Sequence, residues 1–267
     1  MPLALGNYHD LAQAGIKQFW SGRSSVLTND EENSQGGERD GVLAGKNMDG
    51  FLVIIEGIVR SNGLPNAEIF TASRPNLTLP GYFRPTKLWD VIVMDQGRLV
   101  AAIEFKSHVG SFSNNFNNRA EEAIGTAHDL QIAIREGMLI KKQLMPFLGW
   151  LIMVEDSLQS RQQSGFSARH FPVFEKFLAP AVEPPPEFTK TGRLKKSEPR
   201  PRKLVSYLDR YDILCSSLMQ EGLYTRASVI TSPRESVDTG FFSDVSPETG
   251  LKQFVAGLAG HVAAWTA

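Results

Sequence analysis

Residues 88–106 carry most of the structural information in this chain and read LWDVIVMDQGRLVAAIEFK. Residues 88–94 and 99–105 are two apolar runs rich in β-branched side chains, which is the composition of strands. Between them, residues 95–98 (DQGR) are typical of a tight turn. The stretch therefore predicts a β-hairpin in which both strands are largely buried.

Three charged side chains interrupt this apolar hairpin. Glu104 and Lys106 are two residues apart, so they project from the same face of the second strand. Asp90 is expected in the first strand, and its partner depends on the turn. A turn centred on Gly97 places Asp90 opposite Glu104, whereas a turn centred on Gln96-Gly97 turns the two apart unless a β-bulge intervenes. The sequence allows the favourable register but does not require it.

In the favourable register, two carboxylates and one amine converge. Two carboxylates suit Mg²⁺, a hard cation that binds oxygen and keeps several waters. The amine of Lys106 would orient or deprotonate an attacking water, and burial beside a metal would lower its pKa. The alternative is an ion pair at a strand end with a solvated lysine, because an Asp and an E-x-K motif on neighbouring strands are common by chance.

The segments around the hairpin predict an α/β core, a mixed β-sheet flanked by helices. Apolar spacing and turn residues predict helices over residues 8–21, 47–60 and 118–136, strands over 67–72 and 147–154, and loops over 23–46, 74–85 and 107–117. The apolar run 147–154 is expected to be buried on both faces.

The C-terminal part predicts extra helices and a linker. Residues 179–203 are rich in proline and basic residues, which indicates a loop or linker. Residues 204–223 and a segment beginning near Ser246 have helical apolar spacing. We therefore expect a core with N-terminal helices over residues 1–178, a linker over 179–203, and a helical extension packed on the core over 204–267.

Composition narrows the class of protein. The chain is 42% hydrophobic and 21% charged, as in globular proteins. The single cysteine, Cys215, excludes an internal disulfide. No stretch resembles a signal peptide or a membrane span, so we expect a cytoplasmic protein without a membrane partner. The net charge of −1 argues mildly against nucleic-acid binding, although a cleft can still concentrate positive charge.

The pattern formed by Asp90 and Glu104-Phe105-Lys106 resembles the PD-(D/E)XK nuclease motif, with Trp89 in place of the usual proline. Longer segments resemble the XhoI-type restriction endonucleases. They are QFWSGRSS (18–25), SQGGERDGVLAGKNMDGF (34–51), IEGIVRSNGLP (55–65), RPNLTLPGYFRPTKLWDV (74–91), EFKSHVGSFSNNFNNRAEEAIGTAHDL (104–130) and HFPVF (170–174). The resemblance weakens after residue 175, and residues 179–203 and the tail beyond about 232 look like additions.

The resemblance implies a restriction-endonuclease-like fold and Mg²⁺-dependent cleavage of double-stranded DNA. The expected site is the palindrome CTCGAG, cut after the first C to leave 5′-phosphates. A palindrome implies a two-fold symmetric homodimer. The resemblance also implies a cognate DNA methyltransferase that protects the host.

The matched motif also implies roles for individual residues. Asp90, Glu104 and the backbone carbonyl of Phe105 are the expected metal ligands, and Lys106 is the expected catalytic lysine. Glu56, on the helix before the sheet, is a further candidate ligand. A solvated helical glutamate is an equally weighted interpretation of Glu56.

Residues 111–119 (SFSNNFNNR) are candidates for contacts with DNA. Asn pairs with adenine and Arg with guanine, while Ser and Asn also hold phosphates. The alternative is a polar loop that caps the following helix, which Asn118 alone would do. The candidate DNA-binding residues are Arg84, Lys87, Ser111, Asn114, Asn115, Asn117, Asn118 and Arg119.

Two other functions stay open at this point. The first is a repair or junction-resolving nuclease on the same fold, which would prefer damaged or branched DNA. The second is a DNA-binding protein that has lost cleavage. The intact set of Asp90, Glu104 and Lys106 counts against the second.

Overall fold

The computed structural model describes residues 2–27, 48–139, 144–181 and 202–266. Its strands are β1 (Glu68–Phe70), β2 (Thr78–Pro80), β3 (Thr86–Leu88), β4 (Val91–Asp95), β5 (Arg98–His108), β6 (Phe147–Glu155), β7 (Arg226–Ser232) and β8 (Ser243–Asp244). Six of them form one sheet in the order β1-β4-β5-β6-β7-β8, and β2 pairs with β3 separately. The large sheet is mixed, because β5, β6 and β7 are parallel and the other neighbours are antiparallel.

Helices cover both faces of this sheet. They are α1 (Tyr8–Leu27), α2 (Leu52–Ser61), α3 (Phe112–Ala133), α4 (Leu158–Arg161), α5 (Tyr207–Gln220) and α6 (Leu251–Trp265). On one face, which we call the first core, α1, α2 and α6 pack against Val91 and Ile103. On the other face, the second core, α3 and α5 pack against Ile92 and Ala102. The alternation of strand side chains between two apolar layers confirms the α/β fold with helices on both sides of a mixed sheet.

The hairpin of β4 and β5 turns at Gln96-Gly97, whose φ angles are both positive, at 50° and 73°. Two-residue turns of this kind match the twist of the strands that they join. The pairing register then shifts by one residue at a β-bulge between Val93 and Met94. The turn is therefore the second of the two that the sequence allowed, and the bulge corrects its register.

Beyond the bulge, Val91 pairs with Ile103, and the backbone N–H of Asp90 donates to the carbonyl of Ile103 at 3.2 Å. The pairing of β4 with β5 ends there, and Asp90 and Glu104 are the next residues along the two chains. The register beyond the bulge is therefore the favourable one, and the Asp90 and Glu104 carboxylates are close enough for their charges to interact.

The first strand differs from its prediction. The sequence predicts one strand over 88–94, but β3 ends at Leu88 and β4 begins at Val91, so Asp90 lies in a bend between two strands. The break arises because Trp89 is buried and its backbone N–H donates to the carbonyl of Leu77 at 2.8 Å. The expected loop over 74–85 also contains β2, which folds back on β3.

Two helices are longer than predicted. α1 continues through Leu27, so the expected loop over 23–46 is wrong for its first residues, and residues 28–46 lie outside the described part. α3 begins at Phe112 instead of near Asn118. Phe112 is buried and packs on His108 and Tyr207, which holds the first turn of α3 on the sheet.

The C-terminal part is less helical than predicted. β7 lies inside the large sheet and β8 at its edge, so residues 204–267 supply two strands in addition to α5 and α6. The last helix begins at Leu251, later than the expected start near Ser246, because the Asp244 carboxylate accepts the N–H of Leu251 at 2.9 Å. Most of the expected linker, residues 182–201, lies outside the described part. Within the residues described, no helix is both long enough and apolar enough to cross a bilayer.

Candidate active site

The charged residues of the hairpin meet on the face of the sheet that α3 covers. Glu104 and Lys106 lie two residues apart on β5, and the Lys106 Nζ is 2.7 Å from the Glu104 Oε1. The Asp90 Oδ2 accepts the backbone N–H of Phe105 at 2.8 Å. The bend at Asp90 therefore turns its carboxylate toward β5, beside the other two side chains.

A second lysine joins this group. The Nζ of Lys87, on β3, is 2.8 Å from the same Glu104 Oε1 and donates to the Leu88 carbonyl at 2.5 Å. It also lies 5.6 Å from the centre of the Trp89 ring. The sequence predicted Lys87 as a phosphate contact, and the structure places it in an ion pair with the expected metal ligand.

Burial and charge together set the protonation of the group. Desolvation by burial raises the pKa of Asp90, although the charge of Lys106 opposes it. Glu104 is also desolvated, but the charges and hydrogen bonds of Lys106 and Lys87 outweigh this effect and hold its pKa below the usual range. Desolvation likewise lowers the pKa of Lys106, yet Glu104 and Asp90 outweigh it and the pKa is raised. In the protein without metal, Lys106 is therefore a charged donor, and the lowered pKa expected beside a bound metal stays a prediction.

These side chains open into a cleft of about 480 Å³ between β5 and α3. Its lining residues are Phe83, Arg84, Lys87, Glu104, Lys106, Glu121, Glu122, Gly125, Thr126 and Asp129. Two of the three expected catalytic residues, Glu104 and Lys106, therefore line an open cleft that a phosphodiester can enter, and Asp90 lies beside them without lining it.

The oxygen atoms of this site fit Mg²⁺. Asp90 and Glu104 supply two carboxylates, and the carbonyl of Phe105 leaves β5 on the same edge as its N–H, which faces Asp90. Mg²⁺ usually takes only one or two protein carboxylates and completes its shell with waters and substrate phosphate. In the residues that the structure describes, no cluster of three His, Cys, Asp or Glu side chains could hold a metal without such help.

Two predicted residues lie elsewhere or are already paired. Glu56 is on α2, in the layer on the opposite face of the sheet, and pairs with Arg60 at 2.9 Å with its side chain 53% exposed. The structure does not bring Glu56 to the cluster, and its geometry is that of a solvated helical glutamate. Arg84 does line the cleft, where its Nε is 2.8 Å from the Asp129 Oδ2.

The predicted DNA contacts lie on the first turns of α3 instead of in a loop. Asn114, Asn117 and Asn118 are exposed and, at helical spacing, share one face. Ser111 precedes the helix in the left-handed region, with φ 47°. Asn118 does not cap the helix, which begins at Phe112, so its side chain stays available to a ligand.

Two other predicted contacts on α3, Asn115 and Arg119, are less accessible than the exposed asparagines. Asn115 is half-buried, and the Arg119 guanidinium pairs with Glu122 at 2.8 Å. Along the same helix, Glu122 and Gly125 line the cleft. The asparagine face therefore continues into the cleft along one helix.

α3 contributes residues to the cleft that were not predicted from the sequence. Glu122, Gly125 and Asp129 are spaced three and four residues apart, on one face of α3. The helical period read from the apolar residues of α3 would have placed these three residues together on the polar side of the helix. Their position opposite β5 depends on tertiary packing, which the sequence pattern does not contain.

Comparison with known proteins gives an independent line of evidence. A family model described as restriction endonuclease XhoI matches residues 28–182 and 200–244. The unmatched gap lies within the Pro-rich stretch 179–203. The match continues past residue 232, so the C-terminal addition expected there begins later than predicted. No solved structure matches the chain.

Three curated relatives cover most of the same region. The type II restriction enzyme XhoI of Xanthomonas vasicola is 57% identical over 87% of this chain and 84% of its own length. The type II restriction enzyme AbrI of Azospirillum brasilense is 50% identical over 64% of this chain and 77% of its own. The type II restriction enzyme BstVI of Geobacillus stearothermophilus is 36% identical over 85% of this chain and 92% of its own.

Proposed function

Because this chain belongs to the XhoI family of restriction endonucleases, we propose that it cleaves double-stranded DNA at CTCGAG with Mg²⁺ as its cofactor. The chain is a type II site-specific deoxyribonuclease. The proposed cut follows the first C of each strand and leaves 5′-phosphates. We assign the active site to the PD-(D/E)XK type.

The observation that supports this proposal best is the meeting of Asp90, Glu104 and Lys106 beside the cleft, which Glu104 and Lys106 line. A one-residue bulge and a bend at Asp90 are both needed to bring them together. Bulges next to active sites commonly redirect a side chain. A strand-end ion pair alone would not explain why two carboxylates and two lysines share a largely buried position.

In the proposed mechanism, Asp90, Glu104 and the carbonyl of Phe105 hold Mg²⁺, which when bound supplies polarisation of a phosphoryl oxygen and acidification of a water. Lys106, as a charged donor, hydrogen-bonds the attacking water or a phosphate oxygen and neutralises charge that develops in the transition state. Lys87 adds a second positive charge beside Lys106, because both lysines contact the same oxygen of Glu104. Arg84 contributes a guanidinium to the cleft wall, where a neighbouring phosphate would lie.

The first turns of α3 are the proposed DNA-reading element. Their exposed amides can pair with base edges, and Ser111 and the helix start can hold a phosphate. Asn115 and Arg119 lie beside this face and complete the proposed contact surface. A helix of this size fits the major groove.

The proposed partners follow from the palindrome. A two-fold symmetric site is matched by a homodimer in which each subunit cuts one strand. A methyltransferase of the same specificity would protect host DNA, and both enzymes would act in the cytoplasm.

The first test is digestion of unmethylated phage DNA by the purified protein in Mg²⁺, with EDTA as the control. Discrete fragments that end at CTCGAG are the expected result. Discrete fragments with other ends would contradict the proposed site only. Preference for branched or damaged DNA would favour a junction or repair enzyme, and a gel shift without cleavage would favour a DNA-binding protein.

A further inference from the structure

The rim of the cleft carries two adjacent exposed aromatic side chains. Tyr82 is 54% exposed and Phe83 67% exposed, and their rings meet edge to face at 5.0 Å. Phe83 also lines the cleft that contains Glu104 and Lys106. Exposed apolar surface at a functional cleft marks a contact with a ligand more often than single exposed side chains elsewhere do.

The segment that carries these rings is held rigidly by one buried carboxylate. The Asp129 Oδ1 accepts the backbone N–H groups of Tyr82 and Phe83, each at 2.8 Å, and its Oδ2 accepts from the Arg84 Nε at 2.8 Å. Asp129 is 3% exposed. Gly81 is required beside it, because a Cβ at that position would lie 2.4 Å from the Asp129 Oδ2. Three consecutive residues are thus bound to α3 through Asp129, and Gly81 before them leaves room for its carboxylate.

This anchoring does not bury the rings. Phe83 lies nearly parallel to the exposed imidazole of His128, at 6.1 Å and 18°, and still keeps two thirds of its surface exposed, at 67%. The anchor therefore presents the aromatic pair to the solvent in a fixed position beside the proposed catalytic group.

We propose that Phe83 and Tyr82 stack on, or wedge between, DNA bases next to the cleaved phosphodiester. Aromatic side chains at such positions unstack base steps and bend the duplex, and base–aromatic stacking tolerates any base. The neighbouring cations Arg84 and Lys87 suit the phosphates on either side of a distorted step. This inference rests on the proposed function, and it adds a contact outside the metal ligands and the asparagine face.

The test introduces a fluorescent reporter at the rim. All four native tryptophans, Trp20, Trp89, Trp150 and Trp265, are buried, so an indole at position 83 would emit at longer wavelength and be distinguishable. Phe83→Trp is titrated with a CTCGAG duplex in Ca²⁺, and a gel confirms that the duplex stays intact. Phe241→Trp is the control, because Phe241 is 52% exposed and lies next to Phe242 of the first core, across the sheet from the cleft.

The expected result is that the duplex quenches the long-wavelength emission of Phe83→Trp and leaves that of Phe241→Trp unchanged. In parallel, Phe83→Ala should weaken duplex binding on the order of tenfold, while Phe83→Trp keeps it. If wild-type protein cuts its site but the emission of Phe83→Trp and the affinity of Phe83→Ala stay unchanged, the rim contact is overturned and the proposed function stands. If wild-type protein neither binds nor cuts duplex DNA, the proposed function is overturned and the rim contact with it.

Discussion

Glu104 is 3% exposed, and one of its oxygens accepts from both Lys87 and Lys106. A carboxylate this buried is tolerated because its two partners neutralise it. The proposed metal ligand therefore also neutralises two lysines of the cleft.

Glu104→Ala should abolish cleavage and retain DNA binding. Loss of a group that only orients a metal ligand already costs about 10–100-fold, so loss of the ligand should cost more than about 100-fold. Cleavage is measured on gels and binding by gel shift. Glu56→Ala is the matched control, since Glu56 is an exposed glutamate paired with Arg60, and it should cut like wild type. Normal cleavage by Glu104→Ala would contradict the ligand assignment.

His108 predicts a pH dependence of stability. Desolvation by burial, aided by the charge of Arg119, lowers the pKa of His108 from 6.5 to about 4. Between these values the unfolded chain binds a proton that the folded protein does not. The free energy of unfolding is therefore not reduced by His108 above pH 6.5. As the pH drops from 6.5 toward 4, protonation of His108 in the unfolded chain lowers it, by at most about 3 kcal/mol.

His108→Gln should flatten the fall in Tm between pH 6.5 and 4, because the titrating group is gone. It should also lower Tm near neutral pH, since the His108 Nδ1 hydrogen-bonds the Tyr211 hydroxyl at 2.5 Å. His170→Gln alters an exposed histidine and should follow the wild-type curve. The same slope in His108→Gln and wild type would show that another group titrates there.

At the scale of elements, the hairpin was predictable because its signals are local. Two β-branched runs and a Gly-containing turn determine a hairpin wherever they occur. Its register was not predictable, since the bulge between Val93 and Met94 depends on how β5 packs into both cores. The chemistry of Asp90 and Glu104 therefore followed from the sequence only as one of two alternatives.

Other elements were hidden by tertiary effects. The asparagine-rich start of α3 has low helix propensity, and burial of Phe112 overrides it. β7 reads RASVITS, and its polar residues made it look unlike a buried strand. The three β-branched residues Val229, Ile230 and Thr231 nevertheless favour a strand. Ser228 and Thr231 of β7 are buried nonetheless. Lys87 joined the active group only because β2 and β3 fold back, which no local pattern indicates.

The glycine in the middle of α3 gives a prediction about the cleft wall. Gly125 lines the cleft, and a Cβ there would meet nothing within 4 Å. Glycine inside a helix costs about 0.5–1 kcal/mol relative to alanine, and packing within the protein does not require it here. Gly125→Ala should raise the free energy of unfolding by about this amount, measured by urea denaturation, and slow cleavage if DNA approaches α3 closely.

Gly57→Ala is the matched control for Gly125→Ala. Gly57 is an exposed glycine inside α2, and a Cβ there also meets nothing within 4 Å. It should stabilise the protein to a similar extent and leave cleavage unchanged, because α2 lies on the far face of the sheet. Equal cleavage by both variants would place the DNA away from this part of α3.

At the scale of the whole molecule, acidic and basic residues are nearly equal in number, without the basic excess usual in DNA-binding proteins. The net charge of the chain is −1, and the cleft lining holds three cationic and four acidic side chains. An enzyme of this kind cannot rely on bulk electrostatics to hold DNA. A divalent metal at Asp90 and Glu104 would add two positive charges and offset this acidic excess, so the metal would contribute to DNA binding as well as to catalysis.

The proposed homodimer predicts a specific product from mixed subunits. Wild-type and Glu104→Ala chains with different tags are co-expressed and purified through both tags, so that the recovered protein is a heterodimer. If each subunit cuts one strand, the heterodimer should nick a supercoiled plasmid at CTCGAG and accumulate the open circle, whereas wild type yields the linear form. A doubly wild-type preparation with both tags controls for the tags. Recovery of no doubly tagged protein, or linearisation by the heterodimer at the wild-type rate, would contradict a dimer with one active site per strand.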